Sequence, residues 1–316
     1  MENLREAFLK AARGKTGKRE VVKFRADLQK NLLSLRESLL SGDACIGNYH
    51  YFKVYDPKER VICAAAFPER VLHHAIMNVC EPVLERASVF DSYACRVGKG
   101  QFACASRAQH FSRGYSHYLK FDVRKYFDSI PHETLLGMLA TKYHDPGLSR
   151  LFGRLLSSYS TSPGCGLPIG NLCSQHFANF YLGSLDRFIK ETLRCRGYVR
   201  YMDDFVLWHS ELDWLREAGH RIREFAKEGL SLDLKPAITG RVQGGLSLVG
   251  FCIFPFSVRL SGRSKRRYIR KRTVLESLLA TGQISETEAA ARYASLEAFA
   301  GFAGIAGLRK ACGTFY

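Results

Sequence analysis

The stretch Tyr198-Val-Arg-Tyr-Met-Asp-Asp-Phe-Val-Leu-Trp208 constrains the chain more than any other. Aromatic and β-branched residues run on both sides of two adjacent carboxylates, Asp203 and Asp204. Such runs suit a pleated, half-buried surface, so each flank is predicted to be a strand and the acidic pair the turn of a hairpin. Two uncompensated carboxylates side by side are costly to bury. A hard divalent cation removes that cost, because Mg²⁺ takes oxygen ligands and usually binds one or two carboxylates plus substrate phosphates. The plainer alternative is a solvated Asp-Asp turn.

A third carboxylate is predicted to join them. His117-Tyr-Leu-Lys-Phe-Asp-Val123 reads as a strand with Asp122 near its end, where a carboxylate needs a partner. Asp122 is therefore the expected third metal ligand, brought beside Asp203 and Asp204 by sheet pairing. Asp128 is expected in the turn before a helix that opens at Pro131, as a cap or a solvated side chain.

The 316 residues carry a formal net charge of +17, a surplus that must sit on the surface and for which nucleic acid is the usual partner. An anionic membrane is the weaker alternative: no stretch approaches the ~18 apolar residues of a span, and the N-terminus has no signal-peptide apolar core. A cytoplasmic protein is expected. The ten cysteines contain no Cys-x-x-Cys pair, which speaks against zinc and for small buried thiols in a reducing compartment.

In chain order, residues 1–42 read as helical, with apolar stripes at Leu4, Phe8, Leu9 and at Leu28, Leu32, Leu33, Leu35, Leu39. The basic loop Arg13-Gly-Lys-Thr-Gly-Lys-Arg19 between them lacks the glycine spacing and preceding strand of a nucleotide P-loop, so RNA phosphates or plain solvation fit it better. Residues 50–66 read as a hairpin turning at Asp56-Pro57. Lys58 and Arg60 beside that turn suit a triphosphate or a template backbone, or are simply solvated. Phe67 to Met77 reads as a helix in which His73 and His74, being adjacent, cannot share a face as metal ligands. A Gly/Pro loop from Gly164 feeds a helix carrying Phe177, Tyr181, Leu185 and Phe188, and Asp213–Glu228 reads as an amphipathic helix. Leu230–Lys235 and Leu248–Phe256 read as strands. Arg263-Ser-Lys-Arg-Arg-Tyr-Ile-Arg-Lys-Arg272 puts seven cations in ten residues, which suits a helix along a phosphate backbone. Ser285-Glu-Thr-Glu288 is a capping-box pattern, and Gly301, Gly304 and Gly307 are expected to permit close helix packing.

Taken together, Asp122, the Gly-rich loop and helix, Tyr-Met-Asp-Asp, the Val-Gly-Phe strand and the basic helix occur in an order that resembles reverse transcriptases. The resemblance covers residues 50–275 well and the two ends loosely. It implies an α+β right-hand polymerase, with an antiparallel palm sheet carrying the catalytic aspartates and a helical thumb. The implied divisions are an N-terminal helical extension (1–49), fingers (50–116), palm (117–256, with finger insertions around 131–170) and thumb (257–316). By resemblance, Asp122, Asp203 and Asp204, with the backbone carbonyl of Val123, bind two Mg²⁺ ions. Lys58, Arg60, Gly170 and Gln175 would contact the incoming dNTP, and Phe127 would be the steric gate against a ribose 2′-OH, unless it is a core aromatic. Val249, Gly250 and Phe251 match the primer grip. Nucleic acid would further meet Arg96, Arg263, Lys265, Arg266, Arg267, Arg270 and Lys271. Lys235 is a candidate general acid near the pyrophosphate.

One departure narrows the family. Group II intron and retron enzymes carry Gln-Gly-x-x-x-Ser-Pro in the Gly-rich loop, where this chain has Ile169-Gly170-Asn-Leu-Cys-Ser174-Gln175. That variant resembles the enzymes of diversity-generating retroelements, as do the short N-terminus and Ser-Tyr-Ala-Cys-Arg96. Glu297-Ala-Phe-Ala-Gly-Phe302 departs from the Trp/His-containing pattern of that group, which keeps open the stand-alone reverse transcriptases of bacterial antiviral defence. The expected partners are a template non-coding RNA, the nascent cDNA and dNTPs, with room for an accessory protein and no membrane. Two other classes compete: a non-catalytic RNA-binding protein with a polymerase fold, and an RNA-dependent RNA polymerase, which would need the aromatic gate absent or open.

Overall fold

The computed structural model describes residues 1–55 and 59–304. Three helices, α1 (Glu2–Ala12), α2 (Arg19–Ala26) and α3 (Leu28–Ser41), precede strands β1 (Tyr49–Tyr55) and β2 (Glu59–Ala65). Helices α4 (Phe67–Ala87) and α5 (Gln101–Gly114), strand β3 (His117–Asp122) and helices α6 (Tyr126–Ser129), α7 (His132–Ala140), α8 (Pro146–Ser157), α9 (Leu172–Tyr181) and α10 (Gly183–Arg187) follow. Then come β4 (Gly197–Tyr201), β5 (Asp204–His209), α11 (Leu212–Leu230), β6 (Ile238–Arg241), β7 (Leu246–Leu248), β8 (Phe251–Ile253), β9 (Val258–Leu260), α12 (Gly262–Ala280) and α13 (Glu286–Gly301). The chain is thus a mixed α+β protein with antiparallel sheets. Among the described residues no helix is long and apolar enough to cross a membrane.

Two compact units divide it: residues 1–90, 123–188 and 222–235 form one, and residues 91–122, 189–221 and 236–316 the other. In the first unit α1 buries Leu4, Ala7, Phe8 and Ala11, a strict i, i+3, i+4, i+7 face. Leu9 lies off that face and is exposed, as is Leu33 on α3, so two leucines of the expected stripes belong to solvent. Phe8 stacks on Phe24 at 5.8 Å, and both meet the edge of Phe67 on α4 at 6.1 and 5.3 Å. Each such pair adds roughly 0.5–1.5 kcal/mol to the area it buries. The hairpin β1–β2 is mostly exposed, and Lys58 at its turn lies outside the described residues.

That hairpin is tied down at its base by the Gly-rich loop. Cys63 N donates to Ile169 O at 2.8 Å. Gly170 next to it has φ 113°, and a Cβ there would come within 2.8 Å of Ile62 Cγ2 and 3.3 Å of Cys63 O. Glycine is therefore required twice over, by conformation and by the close approach of β2. The helix after this loop is not continuous: α9 and α10 give way to a π-helical turn at Phe188–Thr192. Leu230–Lys235, expected as a strand, makes only a single bridge, Val123 to Leu234.

In the second unit the sheet order is β4-β5-β3-β6, antiparallel throughout. Its strands alternate. Tyr118, Val199, Val206 and Trp208 join one core with Phe111 of α5 and with Leu248, Phe251 and Ile253. On the other face Leu119 and Phe121 receive Gly219 of α11, where a Cβ would lie 2.9 Å from Leu119 Cδ2. The segment expected as one strand over 248–256 is instead a hairpin turn between β7 and β8, because Val249 (φ 44°) and Gly250 (φ 88°) both take the left-handed conformation. α12 buries only Tyr268 and Leu275, one residue every second turn, and leaves its cations outside. α13 opens on Ser285, whose Oγ accepts from Glu288 N at 3.2 Å. Gly301 has open space around it rather than a packed neighbour, and Gly307 lies outside the described residues.

Candidate active site

The β4–β5 hairpin forms where the aromatic runs predict it, and only Met202 and Asp203 remain between the strands. Met202 has φ 57°, the left-handed backbone that two-residue hairpin loops favour. Arg200, 1% exposed, braces the turn by donating from Nη1 to Met202 O at 3.0 Å. Its own backbone is held by Asp91 O and by Tyr93 N, each at 2.9 Å. Asp91 is itself buried between Arg107 Nε and Lys190 Nζ, both at 2.9 Å. A buried guanidinium, a buried carboxylate and two further cations thus fix where the acidic turn stands.

Pairing does the rest. In the β3–β5 register Asp122 lies directly opposite Asp204, a cross-strand pair whose Cβ atoms are typically about 4.5–5.5 Å apart. Asp203 is next in the chain. All three expected carboxylates therefore meet at one end of one sheet. Lys120, two residues before Asp122 and on the same face, donates from Nζ to Asp204 Oδ2 at 2.9 Å and to Ser247 O at 2.8 Å. Asp204 Oδ1 is enclosed and has no hydrogen-bond partner. Burial pushes the Asp204 carboxyl up to about 6, Lys120 works against this, and the charges of Asp122 and Asp203 push further in the same direction.

An all-carboxylate donor set with one orphaned, buried oxygen fits a hard divalent cation. As the side chains stand, however, no three His, Cys, Asp or Glu residues among the described ones form a closed metal-holding group. The physical reason lies in the ion pair: the ammonium of Lys120 already compensates one oxygen of Asp204, and three like charges have no cause to converge further by themselves.

The remaining expected residues fall in different places. Gly250 sits in the β7–β8 turn, where a Cβ would meet Ser264 Oγ at 3.0 Å and Phe299 Cζ at 3.2 Å. Phe251, expected to touch nucleic acid, has its ring fully buried against Phe299 (4.9 Å) and Phe302 (5.1 Å). The ring expected to meet nucleic acid is thus taken up by the core. Arg96 is half-buried and donates from Nη1 to Ser92 O at 2.9 Å, inside its own loop. Arg263, Lys265, Arg266, Arg267, Arg270 and Lys271 are all exposed along α12. Val123, Phe127, Arg60, Gly170, Gln175 and Lys235 belong to the first unit. There Phe127 is half-buried at 5.8 Å from the Tyr126 ring, with its carbonyl accepting from Leu167 N at 2.8 Å. Arg60 is exposed on β2, and Lys235 O accepts from Arg223 at 3.2 Å.

Sequence reasoning passed over Lys120, Arg200 and Asp91. The signal for Lys120 was present, since period-two alternation places it on the face of Asp122. Nothing local marks Asp91, whose partners come from residues 107 and 190.

Comparison with known proteins agrees with this geometry. The family model described as "Reverse transcriptase (RNA-dependent DNA polymerase)" matches residues 55–242, more than half of the chain. The group II intron-encoded protein LtrA of Lactococcus lactis is 24% identical over 181 residues, 54% of this chain and 30% of that protein. An uncharacterized 91 kDa protein in the cob intron of Schizosaccharomyces pombe is 25% identical over 154 residues, 47% of this chain and 18% of that one. The chain thus spans less than a third of the length of these curated relatives. Among solved structures, apo telomerase from Candida tropicalis aligns with a TM-score of 0.54 at 10% identity, covering 75% of this chain and 54% of that one, a likeness of fold. On the family match and the three aspartates that the sheet register brings together, this chain belongs to the reverse transcriptase (RNA-dependent DNA polymerase) family.

Proposed function

We propose that the chain is an RNA-directed DNA polymerase that transfers a deoxynucleotide from a dNTP to a primer 3′-OH. The observation that carries this reading is Asp122 standing opposite Asp204 beside Asp203, with one buried carboxylate oxygen unsatisfied. Asp122, Asp203 and Asp204, with the Val123 carbonyl, would hold two Mg²⁺ ions. When bound, such ions neutralise the triphosphate and acidify the attacking hydroxyl. The protein's own part is position and charge rather than covalent chemistry. Lys120 would keep Asp204 ionised and oriented until the metal arrives. Lys58 and Arg60 would grip the triphosphate, Gly170 and Gln175 would line the nucleotide's path, and Phe127 would exclude a 2′-OH. Lys235 would serve as the acid for the leaving pyrophosphate. Arg96, the Val249-Gly250 turn and the cations of α12 would carry primer and template. In this reading residues 50–116, 117–256 and 257–316 act as fingers, palm and thumb.

The finer setting is also a proposal: a bacterial retroelement that diversifies sequence, or an antiviral defence system, with cDNA made from a dedicated non-coding RNA. The Ile169-Gly170 to Gln175 variant of the Gly-rich loop supports it. A catalytically inert RNA-binding protein explains the basic surface equally well. It gives no reason to concentrate three carboxylates within it.

The deciding experiment is Mg²⁺-dependent dNTP incorporation on poly(rA)/oligo(dT). Wild type should extend the primer, the Asp203→Ala/Asp204→Ala variant should not, and Phe127→Ala should admit ribonucleotides. A wild-type protein that binds the template but never extends would leave only the binding role. The RNA that co-purifies, and the DNA made from it, separates diversification from defence.

A further inference from the structure

The three-stranded sheet of the second unit has two ends. β8 carries the Val249-Gly250 turn at one of them and the Pro255-Phe256 turn, which leads into β9, at the other. Around this second turn Ser112 and Arg113 of α5, with Tyr115, Phe256 and Arg259, line an open cavity of about 380 Å³. That is within the range of about 300–1,000 Å³ that binding pockets occupy. Tyr115 stands just before β3, whose other end carries Asp122, about 17 Å of strand away. The cavity is therefore not part of the carboxylate site.

The turn is held stiffly. Phe254 N donates to Ser257 O at 2.8 Å and closes it, while Arg113 Nε donates to Pro255 O at 2.8 Å from α5. A Cβ on Gly245 would come within 2.7 Å of the Phe254 ring, and the Arg259 guanidinium covers that ring at 5.0 Å. Phe256, on this fixed turn, is 85% exposed. A large ring that is already ordered and still wet can be covered by a partner at little entropic cost. The charge around it has one sign. No Asp or Glu lines the cavity, and the exposed Arg113 and Arg259 form no ion pair among the described residues. Guanidinium forks match carboxylates. β9 adds a third feature, because the order β7-β8-β9 makes it an edge strand. The bonds Phe254 N to Ser257 O and Ser261 N to Gly250 O fix which pairs are bonded, so Val258 and Leu260 turn their N–H and C=O groups away from β8.

We infer that this face docks an extended acidic segment of a partner protein. The segment adds along β9, sets a carboxylate on Arg259 and Arg113, and lays an apolar side chain against Phe256. Single-stranded RNA also suits arginines, but it has no row of N–H and C=O groups for a strand edge. Arg113 moreover stands over the Phe256 ring at 5.9 Å, where a base would stack. A second copy of the chain brings the same surplus of cations. The inference does not depend on the polymerase reading.

The test titrates the full chain with a blocked peptide, Glu-Thr-Leu-Thr-Glu, whose acids and leucine fall on one face of a strand. Backbone amides are followed by NMR. Those of Val258 and Leu260 should shift, and the counterpart Lys-Thr-Leu-Thr-Lys should leave them in place. Arg259→Glu and Phe256→Ala should each weaken the glutamate peptide by about tenfold. Lys18→Glu, the same charge reversal in the first unit, should cost less than about twofold. Both cavity variants alter exposed side chains, so they should melt as wild type does and extend a primer on poly(rA)/oligo(dT) equally well. The inference is overturned if the two peptides bind alike, or if Lys18→Glu costs as much as Arg259→Glu. It is overturned too if the cavity variants weaken single-stranded RNA and spare the peptide, which would make this a nucleic-acid surface. Self-association of the wild type that Phe256→Ala abolishes would seat a second copy there instead.

Discussion

A single ammonium decides what the acidic cluster is before any metal binds. Lys120 sits 2.9 Å from Asp204 Oδ2, with 16% of its side chain and 27% of Asp204 exposed, so the pair is partly shielded rather than solvated. Replacing it by Met leaves a half-buried carboxylate facing two others. In the absence of divalent ions Lys120→Met should destabilise the fold by about 1–3 kcal/mol, the usual cost of an unpaired buried charge. Mg²⁺ should restore more stability to the variant than it adds to wild type. Thermal unfolding with and without Mg²⁺ tests this, and an equal Mg²⁺ increment for both proteins would refute it. The thiols give a second prediction at this scale. Burial pushes Cys80 up to about 11 and Cys195 up to about 12, whereas Cys45 is exposed. Alkylation of the folded protein near pH 8 should reach Cys45 while Cys195, short of thiolate by on the order of a thousandfold, stays silent until unfolding. Peptide mass mapping reads the order, and simultaneous labelling of Cys45 and Cys195 would contradict it.

At the scale of elements, Gly170 ties a strand hairpin to a helix. Ala at 170 must adopt φ 113° and push against Ile62 and the Cys63 carbonyl. The cost should be about 2 kcal/mol or more. The Cys63 amide, bonded to Ile169 O, should then exchange with solvent faster than amides of the β3–β5 pair. Unchanged protection at Cys63 would mean that the loop accommodates the methyl group. The same elements mark how far the sequence could be read. The β4–β5 hairpin was legible because its alternation and its acidic turn are both local, and the place of Asp122 followed from strand pairing. α1 and α3 were legible from a 3.6-residue stripe, except where a leucine such as Leu9 fell one residue off the face. What escaped was set by contacts distant in sequence. Leu230–Lys235 has strand composition but only Val123 to pair with, and the Val249-Gly250 turn hides inside an unbroken apolar run. Phe251 matched the primer-grip pattern while its ring was claimed by Phe299 and Phe302, half a hundred residues downstream.

At the scale of the whole molecule, a formal charge of +17 must be reconciled with a site made of carboxylates. The two signs are kept apart by secondary structure: the aspartates end the strands of one sheet, whereas α12 spends almost its entire circumference on cations. Only Tyr268 and Leu275 anchor that helix in a core, so the exposed Arg263, Lys265, Arg266 and Arg270 contribute little to folding. Changing these four to Ala should leave thermal unfolding nearly unchanged, since exposed cations away from packing matter by only about ±0.5 kcal/mol. RNA binding should respond differently. On a single strand, every phosphate the protein ceases to neutralise takes about 0.7 off the slope of log affinity against log salt. If α12 lies along the backbone, the quadruple variant should bind RNA more weakly at low salt and with a slope shallower by about 2–3. The weakening should be the same for unrelated RNA sequences, because phosphates carry no base information. A parallel, merely displaced salt line would mean that the helix supplies long-range field rather than direct pairing with phosphates, and weakening confined to one sequence would place base recognition on α12 instead.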